Sequence, residues 1–399
     1  MTDATVQRTG TSSPVDGPRI AVVGGGQLAR MMQQAAIGLG VPLRLLAEAP
    51  DVSAAQVVAG AEVGAASDLA ALRSVADGCA VLTFDHEHVP SGHLRTLQAE
   101  GVVCRPGPDA LEHAQDKHRM RRRLTDLGVA CPRWAVVGGP EALDAAAADL
   151  GGYPLVVKTT RGGYDGKGVW VVGSAADSAA AFAAAASAGV EILAEERVDF
   201  VRELAALVAR APSGQTAVYP VVESVQVDGV CREVIAPAPD LDEDLAIAAQ
   251  HMALTVAGAL DVTGILAVEL FQTSDGRILV NELAMRPHNT GHWSIDGAVT
   301  SQFENHLRAV LDLPLGSTRA RATWTVMVNV LGGEVGRLFD GYPHVQARDP
   351  SARVHLYGKP VRPGRKVGHV TAYGDDLESV RARARHAAGW FAGTEPEED

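Results

Sequence analysis

Short apolar runs alternate with amphipathic helical stretches along the first hundred residues, and this alternation leaves few folds open to the chain. Arg19-Ile-Ala-Val-Val23 runs into Gly24-Gly25-Gly26. Gln27 to Leu39 then places Leu28, Met31, Met32, Ala35, Ala36 and Leu39 on one helical face. Pro42 to Leu46 and Val81 to Phe84 read as further strands, the latter ending in Asp85-His86-Glu87-His88. Strands that alternate with helices predict an α/β chain whose N-terminal part is a doubly wound parallel sheet, over roughly Arg19 to Gly107.

The pattern then changes. A charged helix is predicted over Leu111 to Leu127, strands over Trp134 to Val137 and Tyr153 to Lys158, and an Ala-dense helix over Ser174 to Ala188. Glu191 to Ala194 is a further strand, and Phe200 to Arg210 with Thr216 to Val225 reads as a hairpin or meander. Asp240 to Leu260 is a long helix. Ile265 to Thr273 and Arg277 to Leu283 flank Ser274-Asp275-Gly276, a strong hairpin signal. Ser301 to Leu311 is helical. From Pro314 the chain is richer in Arg and His. The expected division is a disordered tail over residues 1–17, an N-terminal domain over 18–112, a central domain over 113–313 and a small C-terminal domain over 314–399.

Composition narrows the function. With 47% hydrophobic residues the chain can build several cores, and its net charge of −13 offers no general basic face for nucleic acid. Cys79, Cys104, Cys131 and Cys231 lack metal or redox spacing and read as free thiols. No apolar run reaches membrane-spanning length and the N-terminus lacks a signal core, so a soluble cytoplasmic protein is expected.

Two glycine loops follow strands. Gly24-x-Gly26-x-x-Ala29, with Glu48 ending the next strand, approaches the dinucleotide fingerprint. It fits equally a helix N-terminus for another anion, or a bare tight turn. Lys158-Thr-Thr-Arg-Gly162-Gly163-Tyr164-Asp165-Gly166-Lys167-Gly168 is a different object. Its glycines free backbone N–H groups for phosphate oxygens, and Lys158 and Lys167 add charge, so it reads as a flexible flap over a nucleotide.

Carboxylates and cations complete the set. Glu269 and Glu282 lie on the two strands of the predicted hairpin and can share a face, where like charges repel unless a cation joins them. With Asn281 they make an oxygen-only set suited to Mg²⁺. Arg286-Pro-His288-Asn289-Thr-Gly-His292-Trp293 follows at once, with Arg286, His288 and Asn289 able to hold an oxyanion. Lys359, Arg362, Arg365 and Lys366 form a second cationic cluster, a candidate substrate-phosphate site. His86 and His88 alone are weak evidence for zinc. Glu87 at a strand's carboxyl end is better read as a hydrogen-bond acceptor for a substrate.

Taken together, these stretches resemble the 5-(carboxyamino)imidazole ribonucleotide synthase family of the ATP-grasp superfamily. The flap and the Arg286 to Trp293 segment are the most specific, and the likeness covers about Arg19 to Gly374. It implies a pre-ATP-grasp domain, a central ATP-grasp domain and ATP- and bicarbonate-dependent carboxylation of 5-aminoimidazole ribonucleotide, through carboxyphosphate, in purine biosynthesis. Lys117, Lys158, Gly163, Tyr164, Asp165, Gly166, Lys167 and Gly168 would hold the ATP phosphates. Glu195, Glu196, Arg197 and Val198 would read adenine, and Glu203 ribose. Glu269 and Glu282 would ligate Mg²⁺ (or Mn²⁺) with Asn281 alongside. Arg286, His288, Asn289 and Lys359 would surround bicarbonate. Gln27, Glu87, Tyr164, Arg365 and Lys366 would bind the ribonucleotide. A homodimer is implied, with no nucleic acid or membrane partner.

The chain departs from the family pattern at Met285 (commonly Pro), Ala29 (Gly), Val169 (Gln) and Gln226 (often His). Competing readings are a nicotinamide-dependent oxidoreductase built on the first glycine loop, a sister ATP-grasp ligase such as a formate-dependent glycinamide ribonucleotide transformylase, and a non-catalytic nucleotide-binding protein.

Overall fold

The computed structural model describes residues 17–163, 166–333 and 335–394. Apart from Gly17, the tail expected over residues 1–17 lies outside them, as do Tyr164 and Asp165 of the flap. The first unit runs β1 (Ile20–Val23), α1 (Gln27–Leu39), β2 (Leu43–Ala47), β3 (Gly60–Val63), α2 (Leu69–Ala76), β4 (Val81–Phe84) and α3 (Ser91–Ala99). Its strands pair in parallel in the order β3-β2-β1-β4. Alternation along β1 explains the two covered faces. Ile20 and Val22 join a core with α1, whereas Ala21 and Val23 join one with α2 and α3. Strand β3 carries no periodic signal, because it lies at the sheet edge with most of its residues exposed.

The single charged helix expected over Leu111 to Leu127 is two helices, α4 (Pro108–Gln115) and α5 (Lys117–Asp126). Asp116 between them is extended, and its side chain caps α5 by accepting from the Arg119 N–H at 3.1 Å. The Lys117 N–H leaves the helical ladder to donate to the Thr160 carbonyl at 2.8 Å. A distant partner therefore breaks a helix that local propensity would continue.

A small antiparallel sheet follows, ordered β5-β8-β6-β7. It comprises β5 (Trp134–Val137), α6 (Pro140–Ala147), β6 (Leu155–Thr159), β7 (Val169–Val172), α7 (Ala179–Ala188) and β8 (Ile192–Glu196), and the flap joins β6 to β7. The large sheet is built from β9 (Phe200–Arg210), β10 (Thr216–Val218), β11 (Val222–Val227), β12 (Val230–Ala236), and, after α8 (Glu243–Ala259), β13 (Gly264–Thr273) and β14 (Ile278–Ala284). After α9 (Ser294–Gly297) and α10 (Gln302–Val310) come β15 (Trp324–Leu331), α11 (Tyr342–Arg348), β16 (Arg353–Leu356), β17 (Lys366–Gly374) and α12 (Leu377–Ala392).

The C-terminal strands do not form a sheet of their own. β15 pairs with β12, so one sheet of nine strands runs β14-β13-β9-β11-β12-β15-β17-β16, with β10 on β9. On β9, Leu204, Ala206 and Val208 bury against α8, while Ala205, Leu207 and Ala209 face Tyr219 and Trp293. Helix α12, not anticipated from the sequence, covers β15 and β17 with Val380, Ala384, Ala387, Ala388 and Phe391. Among the described residues no helix is long and apolar enough to cross a membrane. All four cysteines are unpaired, and burial pushes the Cys104 thiol up to about 12.

Candidate active site

The first glycine loop is filled from within. Asp85 accepts from the Gly26 N–H at 2.9 Å and from the Ala29 N–H at 2.7 Å, and Glu48 accepts from the Gly25 N–H at 3.0 Å. A Cβ on Gly26 would lie 2.2 Å from Asp85 Oδ2, so glycine is what lets this carboxylate cap α1. His86 sits 3.4 Å from Glu48, and their hydrogen bond lowers the Glu48 carboxyl to about 2. The N–H groups a dinucleotide pyrophosphate would use are thus taken by carboxylates that would repel it. This arrangement withdraws the support the loop lent to the oxidoreductase reading. It also accounts for His86, which serves Glu48, without a metal.

One cavity of about 1710 Å³ lies between the small sheet, the large sheet and the carboxyl end of β4. On one side, β6 brings in Lys158, which is buried and sits 2.8 Å from Glu195 and 3.3 Å from Asn281 Oδ1. Glu195 is also held by Arg121 at 2.5 Å. Burial alone would raise this carboxyl, but the charges of Arg121 and Lys158 prevail and hold it at about 2. Glu195 is therefore an ionised anchor that aims Lys158. Glu196 turns aside to Arg133, whose Nε donates to it at 2.7 Å. Arg197 and Val198 lie on the wall beside Phe200 and Phe271, whose rings stack at 4.6 Å. Arg121 and this ring pair escaped sequence reading. An arginine in an Arg-rich helix reads as solvated, and two aromatics 71 positions apart carry no local signal.

The carboxylates converge as the hairpin predicts. Glu269 and Glu282 are paired residues across β13 and β14. The register shifts immediately after this pair, leaving Asn281 as an extra residue. That bulge turns Asn281 toward the cavity together with Glu282, where strict alternation would have aimed it away. Lys117 lies 3.4 Å from Glu282, and His288 Nε2 lies 3.0 Å from Glu269. The His288 hydrogen bond holds the Glu269 carboxyl below its ordinary range despite burial.

Glu203 on β9 shares this wall. Burial, followed by the charges of Glu269 and Glu282, pushes it up to about 7. Mutual repulsion among three carboxylates is the signature of a place that wants a cation. In metal-free protein, Glu203→Gln should raise Tm at pH 8 by roughly 2–4 °C and leave it nearly unchanged at pH 5. The sign follows from the raised value. The unfolded chain ionises Glu203 near its ordinary 4.5, whereas the folded chain holds the proton to about 7. Folding therefore loses stability as pH climbs through that window, and glutamine abolishes the loss. A Tm shift of equal size at both pH values would refute this.

Arg286 Nε donates to Glu87 at 2.8 Å, and Glu87 Oε1 is buried without a hydrogen-bond partner among the described residues. The pairing with Glu87 keeps Arg286 charged against the penalty of burial. The Thr290 N–H points at His288 Nδ1 at 3.5 Å, which leaves Nε2 to carry the proton toward Glu269. Buried Gln302 clamps the His288 backbone from both sides. It accepts from His288 N–H at 2.9 Å and donates to the carbonyl at 2.7 Å. Asn289 was expected to offer its amide to an oxyanion. It lines the cavity and exchanges amide hydrogen bonds with Asn329 at 3.0 and 2.8 Å, so Asn329 on β15 orients it and engages one of its two amide hydrogens.

Gln27, Glu87 and Lys366 are on the same wall, as are Gly163 and Gly166 of the flap. Lys167, Gly168, Lys359 and Arg365 are not. Lys359 reaches Gln27 from behind, and Arg365 lies against the Pro360 carbonyl at 3.5 Å. Gln226 donates to Glu203 at 3.1 Å.

Comparison with known proteins identifies the family. A ribonucleotide synthetase pre-ATP-grasp domain model matches residues 18–115, an ATP-grasp domain model residues 122–303, and a phosphoribosylaminoimidazole carboxylase C-terminal domain model residues 325–383. The N5-carboxyaminoimidazole ribonucleotide synthase of Mycobacterium tuberculosis is 56% identical over 378 residues, covering 94% of this chain and 88% of its own. That of Corynebacterium ammoniagenes is 49% identical, covering 94% and 92%. The Aspergillus clavatus N5-carboxyaminoimidazole synthase, solved with ADP and 5-aminoimidazole ribonucleotide, superposes with a TM-score of 0.85 at 31% identity, covering 94% of this chain and 98% of that one.

Proposed function

Because this chain belongs to the N5-carboxyaminoimidazole ribonucleotide synthase family of ATP-grasp ligases, we propose that it carboxylates the exocyclic amine of 5-aminoimidazole ribonucleotide with ATP and bicarbonate, releasing ADP and phosphate. The observation that carries this reading is the paired Glu269 and Glu282 on the wall of one cavity that Lys158, Arg286 and His288 also line.

The residues fit a divalent cation, since three crowded carboxylates and the Asn281 amide supply only oxygen donors. Glu269 and Glu282 would hold Mg²⁺ (or Mn²⁺), which when bound offsets negative charge on the transferring phosphoryl group. Lys158, aimed by Glu195, and Lys117 would draw the ATP phosphates toward this pair. Glu203, with Gln226 on its carboxylate, would take the ribose hydroxyls, and residues 195–198 the adenine. The flap over residues 162–168 would close above them and exclude water.

Bicarbonate would lie between Arg286 and His288. There it attacks the γ-phosphorus of ATP: a P–O bond forms to carbonate, the bond to ADP breaks, and carboxyphosphate results. The ribonucleotide, bound by Gln27, Glu87 and the C-terminal cations, would present its amine to the activated carbonyl or to CO₂ released from it. The C–N bond forms, phosphate leaves, and the amine's proton passes to a carboxylate or to phosphate. The amine is a weak nucleophile, so proximity supplies much of the rate. A homodimer in the cytoplasm and the domain division at residues 112 and 313 belong to the same reading.

The test is phosphate release from ATP. Release should require bicarbonate and rise at least tenfold with 5-aminoimidazole ribonucleotide. Release that instead needs formate and glycinamide ribonucleotide would replace this reading by the transformylase one.

A further inference from the structure

Lys359 and Gln27 come from opposite ends of the chain, yet they meet beside the cavity, and a closed circuit of polar contacts behind them explains how. Lys359 Nζ donates to Gln27 Oε1 at the start of α1. One helical turn on, Arg30 Nη1 donates to the Ser53 carbonyl at 2.9 Å and to Gln56 Oε1 at 3.3 Å. Ser53 Oγ donates to the Tyr357 carbonyl at 2.6 Å, and Gln56 Nε2 to the Gly358 carbonyl at 2.8 Å. The loop closes at Lys359, whose ammonium also lies 5.7 Å above the Tyr357 ring.

Tyr357 is itself fixed, buried with its hydroxyl 2.8 Å from His369 Nδ1. Gly358 adopts φ +66°, and a Cβ there would lie 2.3 Å from Gln56 Oε1. The left-handed backbone at Gly358 favours glycine, and a Cβ there would push on the Gln56 and Arg30 side-chain ends of the latch.

We propose that Arg30, Ser53 and Gln56 are a latch between the first unit and the C-terminal strands that fixes Lys359 behind Gln27 and so positions Gln27, on the cavity wall, against the sugar-phosphate substrate. None of the three latch residues touches the cavity wall. They are positioning residues, acting through the pair they hold. The inference rests on the substrate assignment proposed above, and it adds residues that assignment does not contain. It also ties assembly of the substrate side of the site to the contact between the two ends of the chain, leaving the nucleotide side independent.

Gln56 is exposed, so its replacement should leave folding intact. Steady-state carboxylation kinetics of the full chain test the latch. Gln56→Leu and Ser53→Ala should each raise KM for 5-aminoimidazole ribonucleotide roughly five- to twentyfold while KM for ATP stays within twofold. Gln56→Glu should be worse than Gln56→Leu, because it sets a carboxylate oxygen against the Asp51 and Gly358 carbonyls that Nε2 now serves. Gly358→Ala should reproduce the effect from the other side. Ribonucleotide KM values within twofold of wild type in all four variants would overturn the latch. So would equal rises for ribonucleotide and ATP, which mark a general structural effect. Wild-type protein whose turnover ignores the ribonucleotide would instead overturn the substrate reading, and the latch with it.

Discussion

Glu269→Gln should lower bicarbonate-dependent phosphate release from ATP by about a thousandfold. Two losses combine in it. Half of the paired carboxylate set disappears, and neutralising phosphoryl charge by a held divalent cation is worth several kcal/mol, or about three decades in rate. The His288 Nε2 hydrogen bond, 3.0 Å to the native carboxylate, also weakens when its acceptor becomes neutral. Glutamine keeps the volume and one oxygen, so the fold should survive. Measured at saturating ATP across a Mg²⁺ titration, the variant should require far more Mg²⁺ and still not recover. A variant within tenfold of wild type at ordinary Mg²⁺ would show that Glu269 serves only to orient His288.

Arg286→Ala should cut carboxylation by two to three orders of magnitude while ATP binding, read by nucleotide titration, changes less than threefold. A positioned cation aimed at developing oxyanion charge contributes on that scale. Arg286 is held by Glu87 whereas Lys158 is held by Glu195, two separate anchors, which is why the two readouts should separate. There is a second cost. Glu87 Oε1 is already buried without a partner among the described residues, and removing Arg286 would strand the other oxygen as well. An uncompensated buried charge is destabilising, so Arg286→Ala should also melt earlier. Adding Glu87→Gln to it should restore much of the melting temperature without restoring turnover. Near-normal turnover in the single variant would remove Arg286 from the bicarbonate site.

Much of this site was legible because its pieces are local. The Asp275-Gly276 turn brings the two adjoining strands together, so the nearness of Glu269 and Glu282 could be read from the chain, although their direct pairing depends on the register shift at Asn281. The flap and the Arg286 to Trp293 segment are likewise contiguous. What stayed hidden depends on partners far along the chain. Asp116 ends a helix because Lys117 has found the Thr160 carbonyl. Arg121 is buried because Glu195 and the Val280 carbonyl are waiting for it, at 2.5 and 3.2 Å. Nothing near Asn289 in the chain announces that Asn329, 40 positions away, orients its amide. The first glycine loop misled in the opposite sense. Its spacing is that of a ligand site, and only the long-range return of Asp85 reveals that the protein caps it itself. The bulge at Asn281 is invisible in a pattern of apolar and polar residues, yet it decides which way that amide faces.

The pairing of β12 with β15 gives the C-terminal quarter of the chain an obligation of its own. Val234, Ile235 and Ala236 meet Met327, Val326 and Thr325 across that seam, and every one of these side chains is buried. Shortening the protein before Trp324 would turn an interior strand into a raw border, with bare amides and carbonyls beside a greasy surface. Such borders recruit neighbouring molecules and precipitate them. The segment from Trp324 onward is thus a hem sewn onto the catalytic sheet, and evolution can trim or embroider it only beyond that stitch.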